Sequence, residues 1–223
     1  MSDTTPMMRQ YARIKDEHRD AILFFRLGDF YEMFRSDAKE ASQILGLTLT
    51  SRQGVPMCGI PYHAAKGYIA RLITAGRKVA ICEQTRLPTG QGLAEREVLQ
   101  VITPGTITED DLLNAGENNF LLSIGATSRW LSVAYLDLST GELGLSGTAI
   151  AAAGQLLRRE LARLRPKEII LQESLLADAS IARALEEHDD VLINRFPDWV
   201  FDLEGAHRRL QRQLNIINLK AYG

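Results

Sequence analysis

Residues 21–34 read Ala21-Ile22-Leu23-Phe24-Phe25-Arg26-Leu27-Gly28-Asp29-Phe30-Tyr31-Glu32-Met33-Phe34, and the first half of the chain is organised around them. Ala21 to Phe25 is a continuous apolar run of strand length, which suits a buried strand. Gly28 interrupts it. Asp29 then stands where a helix N-cap would, and Glu32 three residues on completes an Asp-x-x-Glu form of the capping box. Ala38, Ala41, Ile44 and Leu45 follow at helical spacing, so the pattern predicts a strand over 21–27 turning sharply into a helix over 30–45. Phe30 falls on the first helical turn, where a side chain is rarely well covered. Two readings are open from chemistry alone: Phe30, Tyr31 and Phe34 are core aromatics and Glu32 a cap, or the junction exposes an aromatic and a carboxylate for use.

Working outward, Pro6 to His18 reads as an amphipathic helix with Met7, Tyr11 and Ile14 on one face. Thr48 to Arg52 alternates like a short strand, and Pro56 to Pro61 is irregular. Tyr62 to Ala75 reads as a helix stopped by Gly76, and Lys78 to Gln84 as a buried strand. Thr85 to Leu93 reads as a surface loop and Arg96 to Thr103 as a further strand, which makes this half mixed α/β. Domain boundaries are expected at 1–107, a polar linker at 108–118 and a second domain at 119–223. There Phe120–Ala126, Trp130–Leu138 and Glu142–Ser146 read as three antiparallel strands. A helix over 149–164, a strand at 167–171, a helix near 181–188, a strand at 191–193 and a helix over 202–214 follow. That is the order of a ribonuclease H-like α/β fold.

The chain has 223 residues, a net charge of −2, 45% apolar and 24% charged residues, which is ordinary for a globular protein. Residues 1–107 hold 14 Lys/Arg against 11 Asp/Glu, and residues 108–223 hold 12 against 17, so a polyanion would meet the front half. No apolar run reaches the roughly 18 residues of a membrane span. No secretory signal opens the sequence, and Cys58 and Cys82 read as buried thiols in a reducing compartment.

Four blocks, in order, carry a family resemblance. Gly28-Asp29-Phe30-Tyr31-Glu32, Pro56-Met57-Cys58-Gly59-Ile60-Pro61-Tyr62-His63-Ala64, Val79-Ala80-Ile81-Cys82-Glu83-Gln84 and Val101-Ile102-Thr103-Pro104-Gly105-Thr106 resemble the mismatch-recognition domain of the MutS family of DNA repair proteins. The resemblance implies a mixed-sheet α/β mismatch-recognition domain followed by a ribonuclease H-like connector. It implies that Phe30 is inserted into the base stack at a mispair or small loop, and that Glu32 contacts the base. Arg26, Asp29, Tyr31 and Met57 would border that wedge, and Arg52, Lys66, Arg71 and Arg96 are candidates for phosphate contacts. Mismatched double-stranded DNA is the expected partner, with MutL docking on the connector and a homodimer in the full-length form. The expected setting is the cytoplasm, at the nucleoid.

The resemblance also implies an ATPase domain holding ATP and Mg beyond these residues. No Gly-x-x-x-x-Gly-Lys-Ser/Thr loop occurs in the sequence, so the chain is read as an N-terminal fragment with no catalytic residue, metal or cofactor of its own. The rival from another class is a metal-dependent nuclease in the ribonuclease H-like half, built on Asp137 with Glu168 as a second carboxylate. A third reading makes that half a protein-docking module, with Trp199 and Phe201 exposed.

Overall fold

The computed structural model describes residues 5–86, 94–108, 113, 116–188 and 190–220. Of the loop expected over 85–93, Thr85 and Arg86 belong to a strand and 87–93 lie outside the described residues, as does most of the expected linker. The chain divides into two compact units, Met1–Asn119 and Phe120–Gly223.

The first unit is one six-stranded sheet. Its strands are β1 (Ala21–Leu27), β2 (Phe30–Phe34), β3 (Thr50–Arg52), β4 (Val55–Pro61), β5 (Lys78–Arg86) and β6 (Glu95–Ile102), and its helices α1 (Pro6–Glu17), α2 (Arg35–Leu45) and α3 (Ala65–Thr74). The order across the sheet is β3-β4-β2-β1-β5-β6. β1 and β5 run parallel, with Ala21 beside Lys78 and Phe25 beside Cys82; every other neighbouring pair is antiparallel.

The stretch 28–34 corrects the sequence reading. Asp29 is not an N-cap and Glu32 does not close a capping box. Gly28 and Asp29 are the two-residue loop of a hairpin, with Leu27 opposite Phe30 and Phe25 opposite Glu32. Gly28 has φ +58°, which places glycine at the first central position, as a type II′ turn requires. The chain becomes helical only at Arg35, itself in the left-handed region at φ 56°. Pro56 to Pro61, expected to be irregular, belongs to β4. It pairs with β2 on one side, while a Gln53-Gly54 loop with both φ positive closes the β3–β4 hairpin on the other.

Alternation along each strand sends side chains to two cores. α2 and α3 cover one face, where Phe24, Tyr31, Met33, Ile60 and Val79 meet Ala38, Ala41, Ile69 and Leu72. α1 covers part of the other, where Met8, Tyr11 and Ile14 pack on Leu23, Phe25, Phe34, Val55, Ala80 and Cys82. Asp37, buried in the first turn of α2, ties the layers together. Its carboxylate accepts the Leu23 amide (3.0 Å) and the Tyr11 hydroxyl (3.4 Å), and it pairs with Lys15 Nζ at 2.9 Å. Ile107 is buried in the α2/α3 core and Leu113 packs against it.

The second unit has β7 (Phe120–Ala126), β8 (Trp130–Asp137), β9 (Glu142–Ala149), α4 (Ala153–Leu164), β10 (Glu168–Gln172), α5 (Ala179–Glu186), β11 (Leu192–Phe196) and α6 (Leu203–Leu214). Its sheet order is β11-β10-β7-β8-β9, with β7, β10 and β11 parallel and the β7-β8-β9 meander antiparallel. α4 and α5 bury Leu157, Leu161, Ile181 and Ala184 on Leu122, Ile124, Leu131, Val133 and Ile169. The helices approach closely because Gly154 faces Ser180, whose carbonyl oxygen would lie 2.9 Å from a Cβ at that position. Both units are mixed α/β, as the sequence implied.

Candidate nucleic-acid interface

β2 alternates, so Phe34, Glu32 and Phe30 point to the face that α1 covers. α1 reaches Phe34, which is fully buried, but not the hairpin tip. Phe30 is therefore 47% exposed on a strand whose neighbouring aromatics are buried. It stands between Leu27 of β1 and Pro61 of β4, one on either side in register. The result is an apolar ring held clear of the core at the end of a stiff two-residue turn.

Glu32 is two residues along on the same face. Its carboxylate meets Arg52 Nη1 at 2.7 Å, although Arg52 lies on β3 and β4 runs between them. The residue of β4 opposite Glu32 is Gly59, which has no side chain to obstruct the reach. Glu32 is thus screened and already paired by a cation, and Arg52 is drawn into the site by sheet order.

Tyr31 and Arg26 point to the opposite face. Tyr31 is buried and donates its hydroxyl to Glu83; burial and that carboxylate push its phenol up to about 12. Arg26 Nε donates to the Gly28 carbonyl at 2.6 Å, and its guanidinium lies 3.6 Å from the centre of the Tyr62 ring. Asp29 is exposed in the turn. Met57 is half-buried opposite Phe34, and its sulfur and carbonyl both accept from the Thr50 hydroxyl.

The basic candidates separate. Lys66 and Arg71 are exposed on α3, and Arg71 donates to the Ile44 carbonyl at 3.0 Å. Arg96 is a correction: it is 5% exposed and is no surface cation. It donates to the carbonyls of Arg26 (2.7 Å) and Ala94 (3.1 Å) and to Gln10 Oε1 (2.9 Å), and lies over the Phe25 ring. Burial lowers its guanidinium pKa from the ordinary value. It joins α1, β1 and β6. Tyr62 and Glu83, which contact the hairpin from two other elements, were not singled out in the sequence; both sit inside the blocks that carry the family resemblance.

In the second unit, Asp137 is fully buried and its Oδ1 accepts from the Ser139 amide (2.9 Å), the Ser139 hydroxyl (2.6 Å) and the Thr140 amide (3.3 Å). The carboxylate is occupied in building the β8–β9 turn. Glu168, on β10, accepts from Asn194 of β11. Among the described residues no group of three or more His, Cys, Asp and Glu side chains is placed to hold a metal ion. Trp199 is 77% exposed, while Phe201 is half-buried with its ring against Gly125. No helix among the described residues is long and apolar enough to cross a membrane.

Two family models match the chain: MutS domain I over residues 5–111 and MutS domain II over residues 119–223. Among curated relatives, the chain is similar to "DNA mismatch repair protein MutS" of Treponema denticola, 45% identical over 98% of this chain and 26% of the relative. The protein of the same name in Borrelia turicatae is 47% identical over 99% of this chain and 25% of the relative. That of Syntrophomonas wolfei is 43% identical over 100% and 27%. The chain spans about a quarter of the length of these relatives.

Proposed function

The chain belongs to the MutS family, and from that premise we propose that it serves DNA mismatch repair by binding mismatched duplex, with Phe30 inserted at the mispair and Glu32 meeting the displaced base. The observation that carries this reading is the exposed Phe30 ring on a hairpin whose other aromatics are buried.

The physics of the task favours such a device. A protein that finds mispairs cannot read sequence, because any sequence can carry one. A mispair differs in stacking and in ease of bending, and an apolar wedge tests both. Unstacking costs a few kcal/mol per step, least where pairing is already faulty, and stacking on an aromatic returns about 1–3 kcal/mol. The sum opposes insertion into sound duplex and allows it at a defect. Glu32 sharpens the difference: near phosphates a carboxylate weakens binding unless a base nitrogen meets it. Arg52, Lys66 and Arg71 then supply sequence-independent phosphate contacts. Asp29 adjoins the wedge in the turn, Met57 lies farther along its face opposite Phe34, and Arg26 and Tyr31 support the hairpin from the face behind it.

The chain acts by binding, and no cofactor role is assigned to its residues; ATP and Mg belong to the ATPase domain that the family resemblance implies. We further propose that residues 119–223 are a connector that joins and docks MutL, and that the longer protein works as a homodimer at the nucleoid.

Fluorescence anisotropy on a G·T duplex and its matched counterpart tests the reading. The chain should prefer the mismatch and Phe30→Ala should lose that preference. Equal binding to both duplexes, unchanged by the substitution, would overturn it.

A further inference from the structure

A ring that must enter a base stack gains from being held in place beforehand, since any freedom it loses on insertion is subtracted from affinity. α1 packs on Phe34 rather than on the hairpin tip, and among the described residues nothing lies within 4 Å of where a Cβ of Gly28 would stand. The opposite face holds it instead. Both carbonyls of the turn are taken: Gly28 by Arg26 Nε at 2.6 Å, and Asp29 by the Tyr62 amide at 2.9 Å. The Arg26 guanidinium lies on the Tyr62 ring at 3.6 Å, within 5.6 Å of the Tyr31 ring and 3.6 Å from Glu83 Oε1. Glu83 also receives the Tyr31 hydroxyl. The Arg26 carbonyl, in turn, is held by buried Arg96.

We infer that Arg26, Tyr62 and Glu83 form a positioning clamp that fixes the turn, and with it the stance of Phe30 above the sheet. The inference rests on the reading of Phe30 as the wedge. The clamp brings together three elements: Tyr62 at the entry to α3, Glu83 on β5 and Arg26 on β1 itself. Its chemistry needs arginine. Only a planar guanidinium can stack on one ring, donate sideways to a carbonyl and still face a carboxylate; a lysine ammonium is a point charge on a flexible stem. These engagements also leave the Arg26 side chain 17% exposed beside a carboxylate, which suits a brace better than a phosphate contact.

The test uses the 223-residue chain and a G·T duplex with 2-aminopurine beside the mispair, whose fluorescence rises when the base is unstacked. Mismatch-to-match affinity ratio, 2-aminopurine signal at saturating protein, and thermal midpoint are measured for Phe30→Ala, Arg26→Lys, Tyr62→Ala and Tyr62→Phe. Arg26→Lys and Tyr62→Ala should lower the ratio about three- to tenfold, the scale of one partly exposed cation–π contact. They should also lower the saturated 2-aminopurine signal, and Tyr62→Phe should restore both. If Phe30→Ala abolishes the preference while Arg26→Lys and Tyr62→Ala keep the saturated signal, the clamp is wrong and the wedge stands. If Phe30→Ala keeps the preference, the wedge is wrong and the clamp falls with it. A lowered thermal midpoint with an unchanged saturated signal would make the cluster merely structural, which also overturns the inference.

Discussion

Arg52 Nη1 meets Glu32 Oε2 at 2.7 Å across β4, at a point where Gly59 leaves the surface without a side chain. The two charges bear on the same contact with DNA in opposite senses. Glu32→Gln is expected to raise affinity for matched duplex and narrow the mismatch-to-match ratio. Arg52→Gln should weaken both complexes and reduce the slope of log affinity against log salt by about 0.9, the value of one released counterion. A salt titration by anisotropy checks this; an unchanged slope would remove Arg52 from the phosphate contacts.

Gly28 holds φ +58° with nothing within 4 Å of where a Cβ would stand. Gly28→Ala therefore acts through the backbone alone and should destabilise the first unit by about 1 kcal/mol, with Gly28→Asn milder. Urea unfolding would show it, and a neutral Ala substitution would contradict the turn assignment.

Asp37 is buried and holds the Leu23 amide, the Tyr11 hydroxyl and Lys15. Asp37→Ala leaves the Leu23 amide without its acceptor and removes the counter-charge of Lys15, which keeps the carbonyls of Arg19 and Ala21, and an expected loss of about 3 kcal/mol follows. A loss under 1 kcal/mol in denaturant unfolding would mean that other groups or water replace the carboxylate.

Cys58 and Cys82 are buried, and burial pushes their thiols up to about 11 and about 12. Neither is an accessible thiolate near neutrality, so a disulfide reagent such as Ellman's should react with them only as fast as the first unit opens. Rapid stoichiometric labelling of the native chain at pH 8 would refute the packing described for β4 and β5.

Burial alone would raise the Glu160 carboxyl, but hydrogen bonds from Arg163 and Arg159 outweigh it and hold it below 4.5, the ordinary value. A depressed folded value means that the stabilisation is present above the unfolded value and is lost as pH falls through the folded one. The second unit should lose stability below about pH 4.5, and Glu160→Gln should flatten that limb of the melting-temperature profile. A wild-type profile flat from pH 6 down to 3 would contradict the pairing.

The order of elements in the second unit was legible, because its strands carry apolar runs and its helices apolar spacing; the start of α5 was not, since Asp178 caps it at Ala179, ahead of the helix expected near 181–188. The stretch 28–34 was not. Asp29 and Glu32 have the spacing of a capping box, and the apolar positions from Ala38 onward are truly helical, so local signals extended the helix backwards. What overrode them was pairing with β4, which sets Pro61 opposite Phe30 and Met57 opposite Phe34 across a helix and a further strand, and which no local pattern encodes. Pro56 and Pro61 hid β4 for the same reason. Arg96 was misread because a lone arginine in a polar strand looks solvated; its acceptors are a side chain on α1, a carbonyl on β1 and the Ala94 carbonyl just before β6. The Arg52–Glu32 ion pair likewise depends on sheet order and was out of reach.

The parallel pairing of β1 with β5 bears on how quickly the first unit reaches its native form. Ala21 must find Lys78 across two hairpins, two helices and the intervening turns, whereas β1–β2 and β3–β4 each close over two residues. Loop-closure entropy favours short connections, and long-range parallel pairing is slow. The hairpin that bears Phe30 is expected to assemble before the strand that locks it from behind. Substitutions at Leu27 should then slow refolding in stopped-flow experiments, and substitutions at Val79 should chiefly speed unfolding.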